Sequence, residues 1–277
     1  DLAESWGISA DGLTWEFKLR SGVLFHDGEE MTSEDVVYTL EEILSGRENY
    51  AVSPLFANIE SVSGLDDYTV QIALKQPFAP LLHLLTVEIL PSHILTGSPE
   101  SFEEFRQNPV GTGPFTLAQW EGDTITLNAF DQYFEGRPFL DSVKLRHLPD
   151  KRRAWAELMQ GNLSIVPDLD PEDYEVIKQD TRFATYSNLD VFYHTVLINN
   201  EDPLLSKKPI RVALSLAIDT EEIIDKALRG WADPTSGPFI PGTWPYDESV
   251  PANQFDPGAA GEMLAQEGWA DTDGDSI

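Results

Sequence analysis

The sequence predicts an α/β fold, and three features carry that prediction. Leu13, Trp15, Phe17 and Leu19 alternate with Thr14, Glu16, Lys18 and Arg20. That period of two marks a half-buried strand, because successive side chains face opposite sides of a sheet. A helix-length stretch follows, with Val36, Val37, Leu40, Ile43 and Leu44 on one face, Thr32 or Ser33 placed to cap it, and Glu34 and Asp35 in its first turn. The clean alternation then returns at Val70, Ile72 and Leu74.

Taken in order, Asp11-Gly12 is a turn signal ahead of the first strand, and Phe25-His26-Asp27-Gly28 closes a short extended run with a second turn. Gly46 stops the first helix. Ile59–Val62 leads through a turn at Gly64–Asp67 into the strand Thr69–Leu74, which Pro77 and Pro80 end. Leu81, Leu82, Leu84 and Leu85 read as a buried helical turn. Ser98-Pro99 opens an acidic helix through Arg106, terminated at Asn108-Pro109. Phe115–Trp120 and Thr124–Phe130 form a hairpin across Glu121-Gly122-Asp123, and Ser142–Leu148 is a further strand.

The second half reads as mostly helical. Asp150 caps a helix from Lys151 to Gln160, and Pro171 opens another to about Asp180. Ile210–Asp219 is helical, with Val212, Leu216 and Ile223 at helical spacing, and Thr220 caps the next helix. Asp256-Pro257 starts a helix to Gln266, since aspartate favours the cap and proline the first turn. Trp120, Trp155, Trp231 and Trp269 are expected in the core or on helix faces.

Composition bounds the function. The 277 residues hold 41% hydrophobic side chains, enough for a sizeable core in one large domain or two. Forty-eight acids against 18 bases give a net charge of −30. Nucleic acid and anionic membranes are therefore poor partners, since both need a basic surface. The acids are scattered, which makes a solvated, self-repelling surface; a saline or marine host and plain variation among soluble proteins fit it equally. No cysteine is present, which removes disulfides, thiolate metal sites and thiol nucleophiles. No apolar run approaches the length needed to span a bilayer.

Motifs for catalysis are missing. The five histidines (His26, His83, His93, His147 and His194) sit in no metalloprotease pattern, and there is no Gly-x-Ser-x-Gly elbow. Asn108-Pro109-Val110-Gly111-Thr112-Gly113-Pro114-Phe115 is glycine-rich, yet it lacks both the Gly-Lys-Ser/Thr ending of a phosphate loop and the third glycine of a dinucleotide fingerprint. Asp271, Asp273, Gly274 and Asp275 resemble the first half of a calcium loop without the closing glutamate, and an exposed polar turn is the favoured reading. No enzyme activity, cofactor or metal is expected.

Several strings together resemble the signature of the family 5 extracellular solute-binding proteins, the peptide-, nickel- and oligosaccharide-binding receptors of ABC importers. They are Asp11-Gly12-Leu13-Thr14, Phe17-Lys18-Leu19-Arg20, Gly22-Val23, Phe25-His26-Asp27-Gly28 and Ser33-Glu34-Asp35-Val36-Val37. The 108–115 string is a second hallmark, and Pro203-Leu204 with Ile210–Asp219 a third. Tyr133-Phe134 stands where the family usually has Tyr-Trp.

The resemblance implies a periplasmic-binding-protein-like class II fold of two α/β lobes, incomplete in this chain. Its expected divisions are 1–115 and 116–196 for the two subdomains of the first lobe, and 197–277 for the opening of the second. It implies that glycines in the 108–115 loop supply backbone dihedrals other residues resist. Phe192–Asn200 matches the segment that crosses between lobes. Tyr193 and His194 on that crossing, and Thr235, Ser236, Trp244 and Tyr246 after it, are the expected ligand-facing residues.

The implied function is capture of a di- or oligopeptide by lobe closure and delivery to ABC permease subunits. The alternatives are an oligosaccharide, a nickel chelate or haem on the same fold, or a sensor module without transport. A monomer in the periplasm or outside the cell is expected, with any export signal or lipid anchor in residues beyond this chain.

Overall fold

A strand that the alternation did not announce forms the edge of the first sheet. In this computed structural model, residues 1–45, 53–95, 99–188, 192–235, 237–243, 245–251 and 254–269 are described, and the chain divides into two units, Asp1–Arg153 and Ala154–Ile277. The unannounced strand is β1 (Ala3–Ile8), which pairs antiparallel with β2 (Thr14–Leu19). It places Trp6 opposite Phe17 and Ile8 opposite Trp15. Its apolar content is thin, so cross-strand pairing rather than intrinsic pattern makes it a strand. In the turn between them Asp11 Oδ1 accepts from Ser9 Oγ at 2.6 Å and from the Leu13 N–H at 3.0 Å.

β3 (Ile59–Asp66) and β4 (Thr69–Leu74) complete a four-stranded antiparallel sheet in the order β1-β2-β4-β3. The expected turn at Gly64–Asp67 is displaced, because β3 runs through Gly64 to Asp66. Glycine is needed there for approach: a Cβ on Gly64 would lie 2.7 Å from Ser33 Oγ. The absent side chain lets the hydroxyl of Ser33 donate to Asp66 O at 2.7 Å.

Helix α1 (Ser33–Ser45) covers the inward face of this sheet. Trp15, Phe17, Leu19, Val70, Ile72 and Leu74 meet Leu40 and Ile43, and Val23, Phe25 and Met31 are fully enclosed. Each such large side chain contributes roughly 1.5–3 kcal/mol by leaving water. The helix differs from its expected stripe. Val36, Val37 and Leu44 are only half-buried, while Ser33, Asp35, Thr39 and Glu42 are buried.

Tertiary hydrogen bonds explain that polar face. Asp35 Oδ2 accepts from the Thr32 N–H at 2.8 Å, a capping interaction that reaches back to the residue before the helix. Asp35 Oδ1 accepts from Ser92 N–H at 2.9 Å and Ser92 Oγ at 2.8 Å. Thr39 Oγ1 donates to Asp35 O at 2.7 Å and accepts from Leu90 N–H at 2.8 Å. The 90–92 segment is thereby strapped to the helix, ahead of α3 (Ser92–Leu95). The leucine turn is α2 (Leu81–Leu84), with Leu81 fully buried, and α4 (Pro99–Gln107) follows.

The second sheet has the order β5-β6-β7, from β5 (Phe115–Glu121), β6 (Thr124–Ala129) and β7 (Ser142–Arg146). Trp120 lies opposite Ile125, which lies opposite Leu145, and Leu117 opposite Leu127, which lies opposite Val143. One face is therefore apolar. Trp120 is nonetheless 56% exposed and Trp269 57%, so neither lies in the core, one of the two placements expected of them, whereas Trp15 does.

Helix α5 (Lys151–Met159) spans the division between the units, with the Asp150 carboxylate accepting from Arg152 N–H at its start. In the second unit α6 (Pro171–Ile177) is shorter than expected, ending at a cap on Lys178. Helix α7 (Lys208–Leu216) buries Ile210 and Ala213; of the residues noted at helical spacing, Val212 is exposed, Leu216 is half-buried, and Ile223 falls on the next helix and is exposed. Helix α8 (Thr220–Lys226) is capped one residue earlier than expected. Asp219 is extended and accepts from Glu222 N–H at 2.8 Å, while Thr220 is already helical. Helix α9 (Pro257–Gln266) is capped by Asp256 as expected and packs on α7, where Asp256 N–H donates to Leu216 O at 2.9 Å. The expected stop at Gly46, the residue Ser98 and the aspartates of 271–275 lie outside the described residues.

Replacing Asp35 by alanine strips a buried cluster of donors of their acceptor. At roughly 1–3 kcal/mol for stranded buried groups, Asp35→Ala is expected to cost about 3 kcal/mol. Urea unfolding checks this: the midpoint falls and the slope is unchanged. An unaltered midpoint would remove Asp35 from the account.

Candidate functional site

Two of the sequence's hallmark strings meet at one histidine. The turn Phe25–Gly28 closes on itself, with Gly28 N–H donating to Phe25 O at 3.0 Å and Gly28 at φ +99°, a conformation that favours glycine. This turn presents His26 to the 108–115 loop. His26 N–H donates to Gly111 O at 2.9 Å, and Gly111 N–H donates back to His26 Nδ1 at 3.2 Å. His26 Nε2 lies 3.0 Å from Gly113 O. The edge of Phe130, at the end of β6, meets the imidazole with centroids 5.1 Å apart, and Phe130 N–H donates to Pro114 O at 2.9 Å. The loop is thus held from both sides, by the turn and by the second sheet.

The glycines of this loop do something other than expected. Neither Gly111 nor Gly113 has a left-handed φ. Gly111 offers its N–H and Gly113 its C=O to the imidazole, groups that any residue carries; a Cβ on Gly111 would stand 3.8 Å from His26 Cε1, an ordinary contact.

The next residue, Asp27, accepts from His93 Nε2 at 2.7 Å and from Glu29 N–H at 3.3 Å. Partial burial acts to raise its carboxyl. The His93 hydrogen bond, the Glu29 N–H and the His93 charge outweigh burial and hold Asp27 below the ordinary carboxylate value. His93 in turn meets the edge of Phe25, centroids 5.6 Å apart. Among the described residues no group of three or more histidines, aspartates or glutamates could hold a metal ion, and no helix is long and apolar enough to cross a membrane.

The residues expected to face a ligand are placed less fully. Residues 192–199 take no regular secondary structure and are largely exposed, Phe192 at 84%, Tyr193 at 46% and Leu197 at 91%; His194 is exposed between them. Thr235 is half-buried and its hydroxyl serves its own turn, donating to Gly237 O at 2.9 Å. Tyr246 is half-buried, its N–H donating to Thr243 O at 3.1 Å. Among the described residues no hydrogen bond or ring contact brings Tyr193 or His194 to Thr235 or Tyr246. Ser236 and Trp244 lie outside the described residues. Sequence reading quoted His26 and Asp27 within a motif but gave them no task. A histidine in a Phe-His-Asp-Gly turn, together with a distant loop offering two glycines, was the available signal.

The chain belongs to a family described as bacterial extracellular solute-binding proteins, family 5 Middle, which matches over residues 1–277. It is 35% identical over 285 residues to the oligopeptide-binding protein AppA of Bacillus subtilis (strain 168), covering 100% of this chain and 52% of that protein. The structure of Bacillus subtilis AppA in complex with a nonapeptide superposes with a TM-score of 0.74 at 33% identity, covering 100% of this chain and 56% of that one. NikZ from Campylobacter jejuni, solved with Ni(L-His), gives a TM-score of 0.81 at 28% identity, covering 96% and 54%. The fold is therefore the periplasmic-binding-protein-like α/β fold of this family, and the chain spans about half the length of the relatives it matches.

Because the folded pKa of Asp27 is depressed, its pairing stabilises the fold above the ordinary carboxylate value and is lost as pH falls through the folded one. Asp27→Asn is expected to melt below the unaltered protein at neutral pH, and the gap is expected to close below about pH 4. Melting curves across that range check it. A gap that persists unchanged into acid would show that the carboxylate charge is not what stabilises.

Proposed function

We propose that this chain is part of the substrate receptor of an ABC importer, acting outside the cytoplasmic membrane, and that its ligand is a di- or oligopeptide. The observation that carries the reading is the family match along all 277 residues, together with 35% identity to an oligopeptide-binding protein across the whole chain. No bond is made or broken in such a task. Affinity comes from enclosing the ligand and replacing its hydration with fixed donors and acceptors, and capture comes from closure of two lobes. On this reading residues 1–115 and 116–196 are the subdomains of the first lobe, and 197–277 open the second. The protein works as a monomer that hands its ligand to a membrane permease.

Tyr193 and His194 are the strongest candidates to touch the ligand. Both are exposed, and both lie on a segment that takes no regular secondary structure among the described residues, where a peptide main chain can add hydrogen bonds of its own. Tyr246, Trp244 and Ser236 are the next candidates in rank, and Thr235 is weakened by the use of its hydroxyl within its own turn. A second reading, a metal chelate on the same fold, is favoured by the superposition on NikZ with Ni(L-His).

The test is a thermal-shift panel on the longer protein that carries this chain, at low and high salt, with di- to pentapeptides, nickel with histidine, haem and oligosaccharides. Ligand at about 100 times its dissociation constant adds about 2.7 kcal/mol to stability. A shift with peptides alone is the expected result, and Tyr193→Ala is expected to weaken it by about tenfold in affinity, or ~1.4 kcal/mol. A shift with nickel-histidine alone would replace the peptide reading by the chelate one.

A further inference from the structure

We propose that His26 is the positioning residue of the 108–115 loop and that it holds the loop only as the neutral imidazole protonated on Nε2, so that acid releases the loop. The inference does not depend on which ligand the receptor takes. It follows from the two ring nitrogens facing groups of opposite kind. Gly111 offers an N–H to Nδ1 at 3.2 Å, and an N–H has no lone pair, so Nδ1 must be the acceptor. Gly113 offers a carbonyl to Nε2 at 3.0 Å, and a carbonyl has no proton, so Nε2 must be the donor. One tautomer satisfies both contacts. The other fails at both, and the imidazolium fails at Gly111, where two N–H groups would point at each other.

The surroundings do nothing to offset that conflict. The loop Asn108–Phe115 contributes no titratable side chain. Phe130 brings an aromatic edge, and the next residue, Asp131, has its carboxylate engaged by Arg137 at 2.7 Å. On His26's own turn Asp27 is engaged by His93 from α3, and Glu30 accepts from Tyr68 Oη at 2.8 Å and Gly22 N–H at 2.6 Å. Asp27, Glu30 and Asp131 are therefore each engaged elsewhere, and the Glu29 side chain is exposed. An imidazolium carries a proton on both ring nitrogens, so acid removes the acceptor that the Gly111 N–H uses. Only the ring bonds are pH-sensitive. The bond from His26 N–H to Gly111 O at 2.9 Å survives protonation, so the expected response is a loosened loop on an intact turn.

Two nuclear magnetic resonance measurements on the full chain test this. The nitrogen shifts of His26 at about pH 7.5 report its tautomer, and Gly111 amide exchange, corrected for its intrinsic pH dependence, reports the latch. The expected results are the Nε2–H tautomer and a loss of about tenfold in Gly111 protection between about pH 7.5 and pH 5. His26→Gln supplies an amide oxygen and an amide nitrogen without a titrating ring, and is expected to abolish the pH dependence. His93→Gln is expected to retain it. An Nδ1–H tautomer overturns the proposal on the unaltered protein alone, whether or not the glutamine variant folds. Protection that is flat with pH, or an acid loss that disappears in His93→Gln and persists in His26→Gln, overturns it as well.

Discussion

Helix α1 must lie across the first sheet, and one buried carboxylate decides where it lies. The inward faces of β2 and β4 carry Trp15, Phe17, Leu19, Val70, Ile72 and Leu74, a surface that water cannot be left to cover. Hydrophobic burial is non-directional, so it demands a cover without fixing its angle or register. Asp35 supplies the direction. Its two oxygens bind the residue before its own helix and a segment 57 positions away, so the helix start and the 90–92 strap are set by the same group. A buried charge is costly unless fully bonded, and that cost makes the arrangement specific: a slipped helix would leave a carboxylate without donors.

His26 performs the corresponding service for the second sheet. β5 begins at Phe115, directly after the loop that His26 grips, and Phe130 at the end of β6 closes on the same ring. Between them, Asp35 and His26 convert two stretches that sequence places far apart into neighbours. In both cases the link runs from a side chain to backbone amides, which explains why the distant partner is so plain in sequence. Ser92 and Gly111 are common residues: each presents a backbone N–H, to which Ser92 adds its hydroxyl.

That asymmetry accounts for what could be read in advance. The β2 alternation, the hairpin β5–β6 and the Asp256-Pro257 start of α9 were legible because they depend on local chemistry: side-chain period, turn residues and cap geometry. β1 was not, because AESWGI becomes a strand through its partner. The buried polar residues of α1 were not legible, because periodicity records hydrophobicity and is blind to a buried threonine or aspartate with a distant donor. The shift of the cap from Thr220 to Asp219 is a smaller case of the same kind, since both residues cap well and only backbone conformation separates them. At the site, the hallmark strings were visible and their family followed. The pairing of His26 with Gly111 and Gly113 was not, because a contact across 85 residues leaves no periodic trace.

On the proposed reading, the division of labour inside the chain has a physical sense. Capture by closure needs some parts that do not yield and others that can. The first unit supplies rigidity through a dense core, a bonded carboxylate and a loop held at both ends. The residues assigned to the ligand sit instead on segments with little internal bonding, such as 192–199, where Phe192 and Leu197 are almost wholly exposed. Elements that must rearrange on binding are drawn from such low-stability stretches. A segment that forms no ladder among the described residues meets a peptide main chain without first breaking one, so binding there does not carry the cost of undoing existing structure.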